Sequence, residues 1–394
     1  MLRKSLVLIA LLVLGLGVVG AQAQTATNLT FFLTYIPNIQ FAPIYVALEK
    51  GYFADAGLNV TLQSGDEPDG INLIAANQLQ FGLASGEQVI VARAQDRPVR
   101  SVYEWYQKYP IGVLVTNESG IKTPADLKGK QIGIPGLYGA SYTGVIALLS
   151  ANGLTEQDVQ LQSIGYNAPQ VICVGGVQAA VVYVNNEPLQ VQDQIDQKDC
   201  GSVTGITVFP VAAAADMVSN GIVTNEETIA NHPELVTAFV AAFDHGLRDT
   251  IDNPSEAYLL SAKYIDGLPM TDALKAALEQ NAKETQSFFD AQPHSTRETM
   301  AQTRAGLYEQ FKAHADETTL LQFQVLLTSI ELWDADQLGY SDSAAWQTTE
   351  NTLTAMGQLT QSIDVSAAYT NEFLPQATAT APDGTATPEA TAAS

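Results

Sequence analysis

Short apolar runs alternate with amphipathic helical stretches from Leu29 to Pro210, and this alternation restricts the fold more than any other feature of the chain. Leu29–Leu33, Asn59–Leu62, Phe81–Leu83 and Val99–Glu104 read as strands, with helices expected at 43–50, 69–78 and 86–96. The rhythm repeats with strands at Ile111–Val115, Gln131–Ile134, Gln160–Gly165, Val181–Val184 and Val203–Pro210. Helices at Gly139–Ala151 and Pro188–Gln197, and a turn with a short helix at TPADLKG, separate them. A βαβα succession implies a parallel-type sheet with helices on both faces. From Glu226 onward apolar residues recur at three- and four-residue spacing, predicting helices at Pro233–Thr250, Pro254–Lys263, Thr271–Phe288, Ser295–His314, Thr319–Leu326 and Trp346–Gln361. An α/β, two-lobe molecule whose first lobe resumes after the second fits this order, with crossings near 110–115 and 207–212. One sheet split by a long insertion competes with it.

The stretch from Tyr35 to Val60, YIPNIQFAPIYVALEKGYFADAGLNV, is one such βα unit with an unusual turn. Tyr35, Pro37 and Asn38 follow the first strand, Pro43 suits a helix start, and Gly51 suits its stop. A polar turn between a strand and a helix N-terminus is where open α/β sheets hold small ligands. An ordinary βα connection has the same spacing.

Charge and the chain ends narrow the class. With 42 acidic and 18 basic residues the net charge is −24, which excludes nucleic acid as a partner and disfavours strongly anionic ligands. Arg93, Arg97 and Arg100 are the sole arginines between the N-terminal stretch and Arg248. Arg3 and Lys4, the apolar run Leu6–Val19 and Ala21-Gln22-Ala23 match an export signal with its cleavage site. The apolar run is shorter than the ~20 residues of a spanning helix, and no Cys follows it for lipid attachment. Gln376–Ser394, rich in Thr, Ala and Pro, lacks the apolar side chains needed to offset ordering and reads as a flexible tail. Cys173 and Cys200 form one disulfide in an exported protein, or stay as two buried thiols. His232, His245, His294 and His314 have no metal-ligand spacing, so no metal or cofactor is expected.

Several later stretches match one group in order: ASGEQVIVARAQDRPV at 84–99, TPADLKGKQIGIPG at 123–136, IGYNAPQ at 164–170 and VVYVNNEP at 181–188. Together with residues 35–60 they resemble the bacterial solute-binding proteins similar to the fungal thiamine-pyrimidine synthase, which serve ABC importers. The resemblance implies a type II periplasmic-binding-protein-like fold with a ligand cleft between lobes and extra C-terminal helices. The expected layout is a signal peptide at 1–23, lobe 1 at 24–112, lobe 2 at 113–209, the return of lobe 1 with its helices at 210–374, and the tail at 375–394. It also implies a monomer at the outer face of the cytoplasmic membrane, partnered by a membrane permease, with the lobes closing on ligand.

Carried over by position, the resemblance implies a site made of Tyr35, Asn38, Phe41, Ser85, Glu87, Trp105, Tyr106, Tyr138, Tyr142, Asn167, Asn186 and Glu187. Aromatic rings can sandwich a flat heterocycle, while the carboxyl and amides suit ring N–H and carbonyl edges or polyol hydroxyls. Each Tyr could equally be a core or rim residue, and Glu187 could cap the helix at Pro188. The implied ligand is a vitamin heterocycle: riboflavin, favoured by the amount of ring surface, or the formylaminopyrimidine precursor of thiamine. An alkylsulfonate would want a cationic pocket that the chain does not supply. Catalysis is the remaining alternative, but Ala84 and Gln88 stand where the synthase has its Lys and His, and Pro210–Ala215 replaces its cysteine-rich iron motif. The resemblance therefore implies a receptor and no catalytic residue.

Overall fold

The computed structural model describes residues 26–375, apart from His294 and Thr360. The expected export signal and the tail beyond Pro375 lie outside the described residues. Two five-stranded sheets carry the fold. Strands β1 (Thr27–Leu33), β2 (Leu58–Ser64), β3 (Phe81–Ser85) and β4 (Val99–Glu104) alternate with helices α1 (Ala42–Glu49), α2 (Glu67–Ala75) and α3 (Gly86–Ala94). The second sheet uses β5 (Ile111–Thr116), β6 (Gln131–Ile134), β7 (Gln160–Ser163), β8 (Ala179–Tyr183) and β9 (Ile206–Pro210), with α4 (Gly139–Ala151), α5 (Ala168–Cys173) and α6 (Glu187–Asp196). A tenth strand, β10 (Asn220–Asn225), returns to the first sheet.

The strand orders are β2-β1-β3-β10-β4 and β7-β6-β8-β5-β9, so each sheet has the same plan. Three parallel strands are extended by one antiparallel strand that arrives from the other sheet: β10 pairs with β3 and β4, and β5 pairs with β8 and β9. The chain thus crosses between lobes at residues 105–110 and 211–219. The boundaries expected at 112/113 and 209/210 fall inside β5 and β9, because the apolar run of each strand begins or ends within its own sheet. β10 has no expected counterpart. Its six residues are all buried, so no in–out alternation marks it, and a helix follows at once. The helix expected at Ser295–His314 is two, Arg297–Arg304 and Leu307–Phe311, because Gly306 turns left-handed at φ 85° between them.

The C-terminal helices belong to lobe 1. In α7 (Pro233–Asp252), Phe239 stacks on Phe81 with centroids 4.2 Å apart, and in α8 (Glu317–Trp333), Trp333 meets Trp105 at 5.8 Å. Gly246 of α7 lies on α1 so tightly that a Cβ would sit 2.3 Å from the Pro43 carbonyl. Gly246→Ala is expected to lower stability by about 1–2 kcal/mol in urea unfolding, since overpacking outweighs the better helix propensity of Ala. Among the described residues no helix is long and apolar enough to cross a membrane.

Cys173, closing α5, is bonded to Cys200, just after α6, inside an apolar cluster of lobe 2 with Ile172, Val177 and Val191. The bridge spans 27 residues. Replacing both cysteines by Ala is expected to cost about 3 kcal/mol, read as a lower urea midpoint that reductant reproduces in the unaltered chain.

Candidate functional site

The C-terminal ends of β1 and β3 in lobe 1 face those of β6 and β8 in lobe 2, and the space between them is a cleft. Sheet geometry explains why residues there are free to bind: they have left the ladder but are still held by it. Thr34 and Tyr35 follow β1, Pro135 follows β6, and Tyr183 ends β8. The cleft is lined by the rings of Tyr35, Phe41, Tyr106, Tyr138, Tyr166 and Tyr183. Tyr35 of lobe 1 meets Tyr166 of lobe 2 edge-to-face, with centroids 4.5 Å apart and planes at 78°. Tyr106, on the crossing segment, stands edge-on to Tyr183 at 6.3 Å.

Polar groups converge between the rings. Oε1 of Gln40 accepts from Nδ2 of Asn185 at 2.9 Å and from the Tyr106 hydroxyl at 3.2 Å, tying the lobes at the back of the cleft. Glu187, the first residue of α6, accepts the Tyr183 backbone N–H at 2.8 Å and Nδ2 of Asn186 at 3.2 Å. It also lies beside the Tyr35 hydroxyl. The side chain therefore ties strand to helix and faces the cavity at once. Glu67, at the start of α2, takes the Ser85 N–H. Burial pushes both carboxyls above the ordinary carboxylate range, against the pull of their N–H donors. Burial, then the nearby Glu187, also pushes the Tyr35 hydroxyl up. Among the described residues no Lys, Arg or His lines the cleft.

The lobes are drawn together. The Tyr138 hydroxyl lies 3.3 Å from Oδ1 of Asp66 across the mouth. Gly139, at φ 64°, lets the loop before α4 press onto Glu67. The remaining cavity is about 80 Å3, whereas an engineered cavity of ~150 Å3 holds one benzene. A flat bicyclic or tricyclic guest needs the lobes to part.

Of the residues expected at the site, Tyr35, Phe41, Tyr106, Tyr138 and Glu187 line the cleft. Trp105 does not. It is 0% exposed, buried in lobe 1 between Phe243 at 4.9 Å and Trp333 at 5.8 Å, with its ring 6.1 Å from that of Tyr106, which lines the cleft in its place. Asn38 caps a short 3-10 helix by accepting the Gln40 N–H at 2.9 Å. Asn167 is exposed and donates to the Ile164 carbonyl, while Asn186 supports Glu187 and Gln190 from behind. Tyr142 points outward to Glu156 at 2.8 Å. Ser85 and Glu87 are buried beneath the cleft rather than on it. Glu67, Tyr166, Tyr183, Gln40 and Asn220 also line it and were not expected. Tyr166 neighbours the expected Asn167, which was the one available signal. Glu67 reads in sequence as an ordinary acidic first-turn residue. Among the described residues no group of His, Cys, Asp or Glu is arranged for a metal ion.

Such a cleft can clasp a planar, uncharged molecule between rings and offer acceptors to its N–H edge. Comparisons with known proteins agree with a binding role. A riboflavin-binding protein, RibY of Chloroflexus aurantiacus, is 33% identical over 89% of this chain and 87% of its own length. The formylaminopyrimidine-binding protein of Halalkalibacterium halodurans is 29% identical over 64% of this chain and 77% of its own length. The solved alkanesulfonate-binding protein SsuA from Xanthomonas axonopodis pv. citri superposes with a TM-score of 0.58 at 11% identity, over 88% of this chain and 99% of that one. The fold is accordingly the two-lobe fold of periplasmic binding proteins. The profile described as NMT1/THI5 like matches residues 38–257, and the chain belongs to that family.

Proposed function

We propose that the chain is the extracytoplasmic substrate-binding component of an ABC importer, that its ligand is riboflavin, and that it is not an enzyme. One observation carries this: a cleft walled by five tyrosines and a phenylalanine, holding one buried and one half-buried carboxyl and, among the described residues, no cationic group. Ring surface of that extent suits a tricyclic flavin, each stacked or edge-on pair adding about 0.5–1.5 kcal/mol beyond area burial. The carboxyls suit its N–H edge, and the polar rim suits its polyol chain. The likeness to RibY supports the same ligand. A sulfonate finds no cation in the cleft. The receptor would act as a monomer and hand its ligand to a membrane permease in the closed form.

The formylaminopyrimidine precursor of thiamine is the second reading. The small closed cavity favours a single ring, and the second relative is named for that ligand. Titration of the purified protein with riboflavin, followed by quenching of flavin fluorescence, separates the two. The expected result is saturable binding at one site per chain, with the flavin recovered chemically intact. Indifference to flavin combined with tight binding of the pyrimidine would falsify the first reading and leave the second.

A further inference from the structure

Two consecutive residues of lobe 2 reach two acidic side chains of lobe 1, one directly and one through Tyr109. Gly139 presses against Glu67 so closely that a Cβ would lie 2.1 Å from Oε2. At the next residue, the Ala140 carbonyl accepts from the Tyr109 hydroxyl at 3.0 Å, and the same hydroxyl lies 2.6 Å from Oε1 of Glu87. A phenol has a single proton. With Glu87 ionised, Tyr109 can serve one of its two acceptors and leaves the other facing a lone pair. With Glu87 protonated, Glu87 donates to Tyr109 and Tyr109 donates to Ala140, an unbroken chain from α3 to α4. Oε2 of Glu87 is buried without a partner, an arrangement that a neutral carboxyl tolerates far better than an anion.

Among the described residues the surroundings supply no positive charge. Glu67 faces Glu87 from α2, Tyr109 from the crossing segment, and Tyr183 from β8. From β10, Asn220 reaches only Tyr183, at 3.4 Å. Tyr142 of α4 turns away to Glu156. Glu104 of β4 takes the Ser219 N–H at 3.4 Å and senses Asp216 and Asp342 instead. Glu350, on the helix packed behind α3, accepts from Gln347 at 3.1 Å.

We propose that closing the lobes over ligand takes up protons on Glu67, covered by Gly139, and on Glu87, linked to Ala140 through Tyr109, so that capture and release are proton-coupled. This rests on the receptor reading above and adds to it a means of regulation. Burial raises Glu67, and raises Glu87 to about 8, in the closed form. In the open form water returns to both carboxyls, and they fall back toward 4.5. Between those values the closed form holds more protons than the open one. Closure is therefore favoured by acid and weakens as pH rises toward 8, by up to about tenfold per pH unit for each proton. Glu87 does not line the cavity, so it acts as a positioning residue through Tyr109.

The test is calorimetric titration of the mature protein with riboflavin at pH 6.5, in buffers of different ionisation enthalpy, with Kd followed from pH 5.5 to 8.5. The expected result is net uptake of one to two protons and a Kd that rises at least tenfold across the range. In Glu87→Gln the amide donates to Tyr109 without titrating. Uptake falls by one proton, and affinity at pH 8 becomes tighter than in the unaltered protein. Tight binding with no proton uptake and a flat Kd overturns the proposal while leaving the receptor intact. Solution scattering of the ligand-free protein is the second measurement. A closed fraction that grows from pH 8.5 to 5.5 supports the proposal, and one that does not change overturns it whatever the ligand proves to be.

Discussion

Glu187→Ala is expected to weaken ligand binding about a hundredfold, ~2.7 kcal/mol, with the fold retained. The half-buried carboxyl accepts the Tyr183 N–H and the Asn186 amide and lies beside the Tyr35 hydroxyl, so truncation removes the acceptor these groups share. It also frees Tyr35, whose ring closes the cleft against Tyr166, and removes the acceptor offered to the ligand. Glu187→Gln keeps the shape and one carbonyl acceptor but turns an amide N–H2 toward other donors, and a loss of roughly tenfold is expected. Fluorescence titration checks both, with far-ultraviolet circular dichroism as the control for folding. Alanine and wild type binding equally would mean that ligand does not meet this carboxyl.

Trp105→Ala carries the largest expected loss of stability, about 4 kcal/mol. The indole is wholly buried and touches the rings of Phe41, Tyr106, Phe243 and Trp333, so removing it leaves a cavity that rigid neighbours cannot fill. Its Nε1 has no partner, so Trp105→Phe loses no hydrogen bond and should cost about 1–2 kcal/mol. Urea unfolding of lobe 1 is the measurement. Phe41 and Tyr106 line the cleft on their other side, so slackening behind them is also expected to weaken ligand binding severalfold. A neutral effect of Trp105→Ala on stability would show that the indole is not the core element described here.

Much of lobe 1 and lobe 2 was legible because their strands announce themselves locally. Val99–Glu104, Gln131–Ile134 and Gly139–Ala151 stand where apolar spacing and flanking glycines place them. β10 was not legible, because a strand buried on both faces shows no period of two. The asparagines misled for a related reason. Asn38, Asn167 and Asn186 sit at strand ends and helix starts, where ligands gather, but a short amide there finds backbone or adjacent partners first. Glu67 misled in the opposite direction. Glu67 looks like a solvated acid favoured by the dipole of its helix but is covered by Gly139, and Glu87, expected at the site, is buried beneath it against Tyr109.

From the sequence alone came the succession of elements, the acidic character and the aromatic turn after β1, because these depend on composition or on spacing within a few residues; spacing left two lobes and one split sheet both open, and the two separate sheets decided between them. Which rings point into the cleft depended on the tertiary structure. Trp105 and Tyr106 are chain neighbours, yet one fills the core and the other lines the cleft. The pressing of Gly139 onto Glu67 and the link from Ala140 through Tyr109 to Glu87 were likewise settled only by folding, since contacts between lobes join residues that no local pattern relates.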